Sequence, residues 1–440
     1  MDKTFKKKSI WTGLLSALAL LCAVLPGYAA IDGISGTTFN LTAKSGYIST
    51  AEGGSYLMWG YANGAGEMQY PGPTLIVNQG DLVTINLTNQ LTVPASIVFP
   101  GQSRVGANGG AQGLITREAP ALGGTVSYSF TASQPGTYTY YSGTNPELQI
   151  EMGLVGALIV RPTGYNATTN KIAYNDASSA YDHEYLFLIS ELDPVIHNQV
   201  DSGNMALVDT TTYWPVYWFL NGRTAPDTMS ASNNPLLPNQ PYNCMPMMHP
   251  GEKVLLRMVG AGRDMHPFHT HGNHHNVIAR DGRLLSSGTG ADLAELAFTT
   301  SVVPGSTADG IFTWTGAKLG WDMYGFTNAT HPAYCNGSGN PTAAYPADRL
   351  SQLPADRCKP FPVVLPAQQD VTNGQFYSGS PFLGTMGYLP PGQGGFNPNS
   401  GFMYMWHSHN EKEITNFDIF PGGMLTMMIV EAPGVELMNP

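Results

Sequence analysis

The chain has 440 residues, enough for two or three domains, and a formal net charge of -11 at pH 7. With 12% charged residues, 51 glycines and 33 prolines, its composition favours short strands joined by turns over long surface helices. It excludes a disordered chain, because 42% of the residues are hydrophobic, and the negative charge excludes a basic nucleic-acid-binding surface.

The first residues are typical of a secretory signal peptide, at 1–29. A lysine-rich start precedes an apolar run over residues 10–25 and the small residues Gly27 and Ala29. We therefore expect cleavage near Ala29 or Ala30 and a secreted or periplasmic protein, with association with the outer surface left open. The alternative is an uncleaved membrane anchor, although the apolar run is short for a full span. No later stretch is apolar enough to cross a bilayer, so the mature chain is expected to have no transmembrane segment.

The remaining chain contains an internal repeat. Gly80 and Gly251 each open an alternating apolar run, which predicts a half-buried strand. In each copy a second glycine, Gly101 or Gly272, follows after 21 residues. The residues predicted to face the core are Val83, Ile85 and Leu87 in the first copy and Val254, Leu256 and Met258 in the second.

A second pair of similar segments lies at 140–160 and 406–430, the later copy being four residues longer. Together the repeats predict an all-β protein of two Greek-key β-sandwich domains, at 31–162 and 183–434, joined by a linker at 163–182. The second domain is longer because of two loops rich in Pro, Gly and Asn, near 224–250 and 326–400. Such long loops are usually functional or partly mobile.

Three cysteines, Cys244, Cys335 and Cys358, follow the predicted signal peptide. Export permits disulfides, but an odd number leaves at least one cysteine free, bound to metal or paired between chains. Cys335 and Cys358 share one polar region and are the favoured pair. The sequence alone leaves the pairing open.

Two histidine-rich motifs resemble those of the multicopper oxidases. Residues 266–272 read His-Pro-Phe-His-Thr-His-Gly, and residues 406–409 read Trp-His-Ser-His, followed by Met424. The resemblance implies cupredoxin-like domains, a type 1 copper that accepts electrons and a trinuclear copper cluster that reduces dioxygen. The matching type 1 ligands are His266 and Met424, and the matching cluster ligands are His269, His271, His407 and His409.

The departures from the family pattern fall on the copper ligands. The family's first domain carries two histidine pairs, and its type 1 copper also needs a cysteine and a second histidine. No histidine lies within 410–420, where that second imidazole belongs. A serine hydroxyl cannot replace the thiolate that makes type 1 copper blue. The degenerate positions are Val98 and Pro100 at the first pair, Tyr141 and Gly143 at the second, and Ser408 at the cysteine.

These departures leave three hypotheses. The first is an exported, multicopper-oxidase-like protein that binds copper without complete type 1 and trinuclear centres. The second is an active copper-dependent oxidoreductase on phenolic or metal-ion substrates, and the third is a structural or interaction β-protein with relic histidines. Imidazoles suit Cu(II), Zn and Ni. Copper ions are the expected partner, His274 and His275 are either additional ligands or surface residues, and two-domain relatives imply a homotrimer.

Overall fold

The computed structural model of the protein describes residues 31–316, 319–349, 352–360, 379–383, 401–431 and 435–437. The predicted signal peptide lies outside the described residues. Within the described part of the chain, no helix is long and apolar enough to span a membrane. The architecture is all-β, as the composition predicts.

The first half forms two sheets, with strand orders β1-β4-β11-β10 and β3-β2-β5-β9-β6, and a small hairpin of β7 and β8. Its elements are β1 (Ile34–Ser35), β2 (Thr38–Ser49), β3 (Ser55–Asn63), β4 (Leu75–Asn78), β5 (Leu82–Asn89), β6 (Gly106–Gly109), β7 (Ala111–Gln112), β8 (Arg117–Glu118), β9 (Gly124–Thr131), β10 (Gly136–Tyr141), α1 (Pro146–Gln149) and β11 (Val155–Arg161).

The second half also forms two sheets, in the orders β13-β12-β15-β21-β17-β18 and β14-β24-β23-β16-β20, with β19 paired to β17 and β22 to β23. Its strands and α-helix are β12 (His183–Leu192), α2 (Pro194–Asp201), β13 (Tyr217–Leu220), β14 (Met247–Met248), β15 (Lys253–Gly260), β16 (His266–Thr270), β17 (His275–Arg280), β18 (Arg283–Leu284), β19 (Glu295–Ala297), β20 (Thr299–Val302), β21 (Thr307–Thr313), β22 (Gly379–Leu383), β23 (Gly401–Ser408) and β24 (Leu425–Val430). Short 3-10 helices lie at Ala177–Ser179, Met205–Leu207, Asp227–Met229, Ala347–Arg349 and Glu411–Ile414.

The two halves share a pairing pattern. In the first, β2 runs parallel to β5, which pairs antiparallel with β9. In the second, β12 runs parallel to β15, which pairs antiparallel with β21. A bridge between Val98 and Tyr141 in the first half has its counterpart in the pairing of His269 with His407 in the second. The positions matched by the sequence repeat therefore occupy the same place in both sheets.

The two strands opened by the repeat differ in burial. In β5 the predicted alternation is present, because Val83, Ile85 and Leu87 are buried between partly exposed polar residues. In β15 both faces are buried, since Leu255 belongs to a small cluster beside β17 and Val259 belongs to a cluster that includes Val155 of the first half. The half-buried strand predicted for the second copy is wrong for this reason: residues beside β17 and residues of the first half together cover its other face.

The loop after β21 is anchored to the second core by apolar side chains and a disulfide. Trp321 and Met323 are buried in the same cluster as Phe268 and Trp406. The favoured disulfide between Cys335 and Cys358 is confirmed. Cys244 is free and buried.

Candidate metal centre

The pairing of β16 with β23 brings histidines of distant sequence together. His269 lies directly opposite His407 in the antiparallel register. Because side chains alternate along a strand, His271 lies on the same face as His269. One potential ligand atom from each of His269, His271 and His407 lies within 4.8 Å of the others. These three residues form the histidine cluster.

The nitrogens of the cluster are arranged as metal ligands require. His407 Nδ1 lies 2.6 Å from the Ser408 carbonyl oxygen, which can only accept, so Nδ1 carries the proton and Nε2 keeps its lone pair in the neutral ring. His269 Nδ1 lies 2.8 Å from Thr299 Oγ1, while its Nε2 is buried without a hydrogen-bond partner in the described residues. Such outer contacts orient the histidines of metal sites.

A cation between His271 and His407 fits their separation. Their Nε2 atoms are 2.9 Å apart. Metal–nitrogen bonds of about 2.0–2.1 Å place two ligand nitrogens roughly 3 Å apart. The Nε2 of His269, which has no hydrogen-bond partner among the described residues, lies beside them, so the residues present fit a metal ion held by three imidazoles.

The electrostatics of the cluster keep it neutral. Burial, with a further contribution from the neighbouring imidazoles, lowers the pKa of His269 to about 4 and that of His271 to about 3. Burial also lowers the pKa of His407. Neutral imidazoles are the form that ligates, so no proton has to be displaced near pH 7.

The fourth predicted cluster ligand, His409, lies at the rim. Its ring centroid is 4.8 Å from that of His269, but its Nδ1 is 3.1 Å from Glu411 Oε1 and its side chain is 46% exposed. His409 is therefore near the cluster without converging on the same point, and its role as a ligand stays a prediction.

Of the two neighbouring histidines, only His274 takes one of the places that the sequence left open, ligand or surface. His275 is buried, with Nδ1 3.0 Å from Thr270 Oγ1 and Nε2 2.7 Å from Thr300 Oγ1. His274 is exposed, and its ring lies 5.3 Å from that of Phe298. Hydrogen bonding occupies both nitrogens of His275, and His274 lies on the surface.

His266, predicted as a type 1 copper ligand, has both ring nitrogens occupied by carboxylates. Nδ1 lies 2.9 Å from Glu413 Oε2 and Nε2 lies 2.8 Å from Glu191 Oε2. Burial disfavours a charged imidazole, but these two carboxylates outweigh it and raise the pKa of His266 to about 9. Ser408 donates a hydrogen bond to Glu413. Met424 is buried in the core, and its role as a ligand stays a prediction.

The equivalent place in the first half holds different chemistry. Val98 and Tyr141 are joined there by a backbone hydrogen bond of 2.8 Å, and the Gly143 amide donates to Ser96 Oγ at 3.0 Å. Val98, Pro100 and Gly143 have no side-chain donor atom for a metal. No imidazole from the first half is therefore available at these positions.

Sequence reasoning missed three residues that surround the histidines. Thr299 and Glu191 belong to strands distant in sequence, and nothing local points to them. The sequence did offer a way to find Glu413. This residue lies within 410–420, the segment where the resemblance requires a second type 1 histidine and none is present. A search of that segment for any titratable residue would have found it.

Comparisons with known proteins agree with the fold and with the multicopper oxidase resemblance. A family model described as multicopper oxidase matches residues 49–164. An iron transport multicopper oxidase of Epichloe festucae is 41% identical over 95 residues, covering 21% of this chain and 15% of its own length. Copper resistance protein A of Pseudomonas syringae pv. tomato is 25% identical over 316 residues, covering 64% of this chain and 48% of its own length.

The solved blue copper oxidase of Nitrosomonas europaea has a similar fold, with a TM-score of 0.53, 18% identity and coverage of 90% of this chain and 86% of that one. The comparisons support a multicopper oxidase-like family, with the family model matching residues 49–164. The fold of the chain is thus the cupredoxin-like β-sandwich. The matched segments cover less than half of the two curated relatives, whose activities therefore do not transfer directly.

Proposed function

We propose that this multicopper oxidase-like protein binds copper at the histidine cluster and does not act as a laccase-type oxidase. The observation that supports copper binding is the convergence of His269, His271 and His407, with no hydrogen-bond partner for the buried Nε2 of His269 among the residues that the structure describes. Imidazole nitrogens are the donors that Cu(II) favours. The family relationship makes copper the preferred candidate over zinc or nickel.

Different residues of the chain would orient the histidines of the cluster, keep them uncharged and cover the copper site. Thr299 and the Ser408 carbonyl orient His269 and His407, and the carbonyl holds the proton of His407 on Nδ1 so that its Nε2 lone pair points inward. Burial keeps the rings neutral, and His409 at the rim is placed to cover the open side. Copper, when bound, would supply one-electron redox chemistry.

The proposed absence of oxidase turnover rests on what surrounds the cluster. Reduction of dioxygen to water takes four electrons, which the family divides between a type 1 copper and a three-copper cluster. Here Ser408 offers no thiolate, and both nitrogens of His266 are engaged by carboxylates. The first half contributes Val98 and Tyr141 where the family has imidazoles.

The test is metal analysis of the copper-loaded mature protein, with electron paramagnetic resonance and an oxygen electrode. We expect bound copper with nitrogen hyperfine coupling and no steady oxygen consumption with a phenolic substrate. His269→Ala with His407→Ala should remove that copper, whereas exposed His274→Ala should not. Unchanged copper stoichiometry in the double variant would refute the site, and steady oxygen consumption by wild type would refute the inactive-oxidase proposal.

We further propose that the protein is exported and forms a homotrimer. The lysine-rich start and small residues before position 30 support export, and N-terminal sequencing of native protein should begin at Ala30 or Ile31.

Exposed apolar side chains support the proposed homotrimer: Leu114 between β7 and β8, and Phe298 beside the histidine cluster. Native mass spectrometry should give three chains, and a monomer at micromolar concentration would contradict it.

A further inference from the structure

The positions that the family resemblance assigns to the type 1 copper meet in space but share no metal-ligand geometry. His266 opens β16, Ser408 ends β23, and Glu413 lies in the short helix after it. Glu191, from the end of β12, joins them. The side chains of His266, Glu191 and Glu413 are 1%, 0% and 4% exposed.

The polar atoms of this group form hydrogen bonds with one another and with neighbouring backbone amides and side chains. Glu191 Oε1 accepts hydrogen bonds from the amides of Arg263 and Asp264 and from Tyr213 Oη, the last at 2.8 Å. Glu413 Oε1 accepts from Asn410 Nδ2 at 2.8 Å. A metal ion could reach His266 only by breaking one of its two carboxylate contacts, which would leave a buried carboxylate without its cation. That loss is costly in a dry interior.

We infer that His266, held between Glu191 and Glu413, is a metal-free ionic cross-link. It occupies the place of the type 1 copper and connects the same segments of the chain that the copper would connect. A copper ion there would tie together the strand carrying His266 and the loop that follows Ser408. The imidazolium ties the same two segments and adds β12 through Glu191. The raised pKa of His266 agrees with a permanent positive charge between the two carboxylates.

The cross-link continues toward the first half. Tyr213 Oη lies 2.8 Å from Glu191 and 3.0 Å from Glu151 Oε2, a residue of the first half. Glu151 Oε1 in turn accepts from the Asp193 amide at 2.8 Å. Loss of His266 should therefore weaken the packing of the two halves as well as the second core.

The test compares thermal unfolding and metal content of His266→Gln with wild type. Glutamine cannot satisfy both carboxylates and carries no charge, so the unfolding midpoint should fall by about 10 °C. Copper per chain should stay at the wild-type value. The matched control is His183→Gln, whose partner Glu252 lies 2.8 Å away but is 30% exposed, and there the midpoint should fall far less.

A second variant, Glu413→Gln, keeps the shape of the side chain and removes only its charge. It should also lower the midpoint more than His183→Gln does, which keeps the inference testable if His266→Gln does not fold. A His266→Gln midpoint within 2 °C of the control, or the loss of one copper per chain from a folded His266→Gln, would each overturn the cross-link. If wild type binds no copper, the copper proposal fails while the midpoint comparison still decides the cross-link.

Discussion

His266 and His269 lie three residues apart on one strand, both buried, yet their surroundings make the first positively charged and leave the second neutral. Burial raises the free energy of the charged form in both cases. Around His269 the nearest ionisable groups are other imidazoles, so its pKa falls to about 4. Around His266 two carboxylates reverse the effect of burial, and its pKa rises to about 9. Partners, rather than burial, decide which histidine can bind a metal.

The comparison also separates two ways of satisfying a buried imidazole. His269 has one nitrogen bonded to Thr299, and its other nitrogen has no hydrogen-bond partner in the described part of the chain, so a metal ion can bind there. His266 has a carboxylate on each nitrogen and no lone pair to offer. An unsatisfied buried nitrogen is unfavourable by itself, so it is informative where it occurs beside two further imidazoles.

The largest change is expected from removing both carboxylates beside His266. In Glu191→Gln with Glu413→Gln, burial acts alone, so the pKa of His266 should fall from about 9 to below its ordinary value of about 6.5. An NMR titration of the His266 ring protons would measure it. A pKa that stays above 8 would show that other groups hold the charge.

A second change would act on the outer contact of His269. Thr299→Val keeps the size of the side chain but removes the hydroxyl 2.8 Å from Nδ1. Outer contacts of metal-bound histidines are worth about 10–100-fold in affinity. We expect copper affinity, measured by competition with a chelator, to weaken in that range. Ser301→Ala, on the same strand but exposed, is the control and should leave the affinity unchanged.

The pH dependence of stability should have two limbs in the metal-free protein. The pKa values of His269 and His271 are lowered to about 4 and about 3, so below about 6.5 the unfolded chain binds protons that the folded chain does not. The free energy of unfolding should therefore decrease as the pH falls from 6.5 toward 4. Urea unfolding at a series of pH values would measure this acid-side decrease in the free energy of unfolding. The decrease should be smaller in the variant His269→Ala with His407→Ala.

The alkaline limb belongs to His266. Its pKa is raised to about 9, so its contribution to stability is fully present below about 6.5 and is lost as the pH rises through 9. The same urea series should show this loss in wild type but not in His266→Gln. Equal alkaline slopes in the two proteins would contradict the assignment of the charge to His266.

The smallest effect is expected from Ser408→Cys. The new thiol would lie next to Glu413 without a free imidazole, because both His266 nitrogens are engaged. We expect neither the absorption near ~600 nm that a Cu–thiolate bond gives nor oxidase activity. Appearance of the blue band in the copper-loaded variant would show that the His266 cross-link opens readily to metal.

Sequence alone was sufficient for the properties that depend on local periodicity. The alternation around Val83, Ile85 and Leu87 predicted a strand with one buried face, and the period of two placed His269 and His271 on one face. The equal glycine spacing in the two copies predicted a shared arrangement, which the equivalent pairings of Val98 with Tyr141 and His269 with His407 are consistent with.

The tertiary structure decided which residues surround each of these positions. The register of β16 on β23 sets His269 opposite His407, and β12 brings Glu191 to His266 from 75 residues away. A small cluster beside β17 buried the second face of β15 around Leu255, and packing between the halves buried it around Val259. Side-chain alternation is a property of one segment, whereas pKa, burial and ligand geometry depend on neighbours distant in sequence. Only folding could therefore distinguish the two histidines of a single strand.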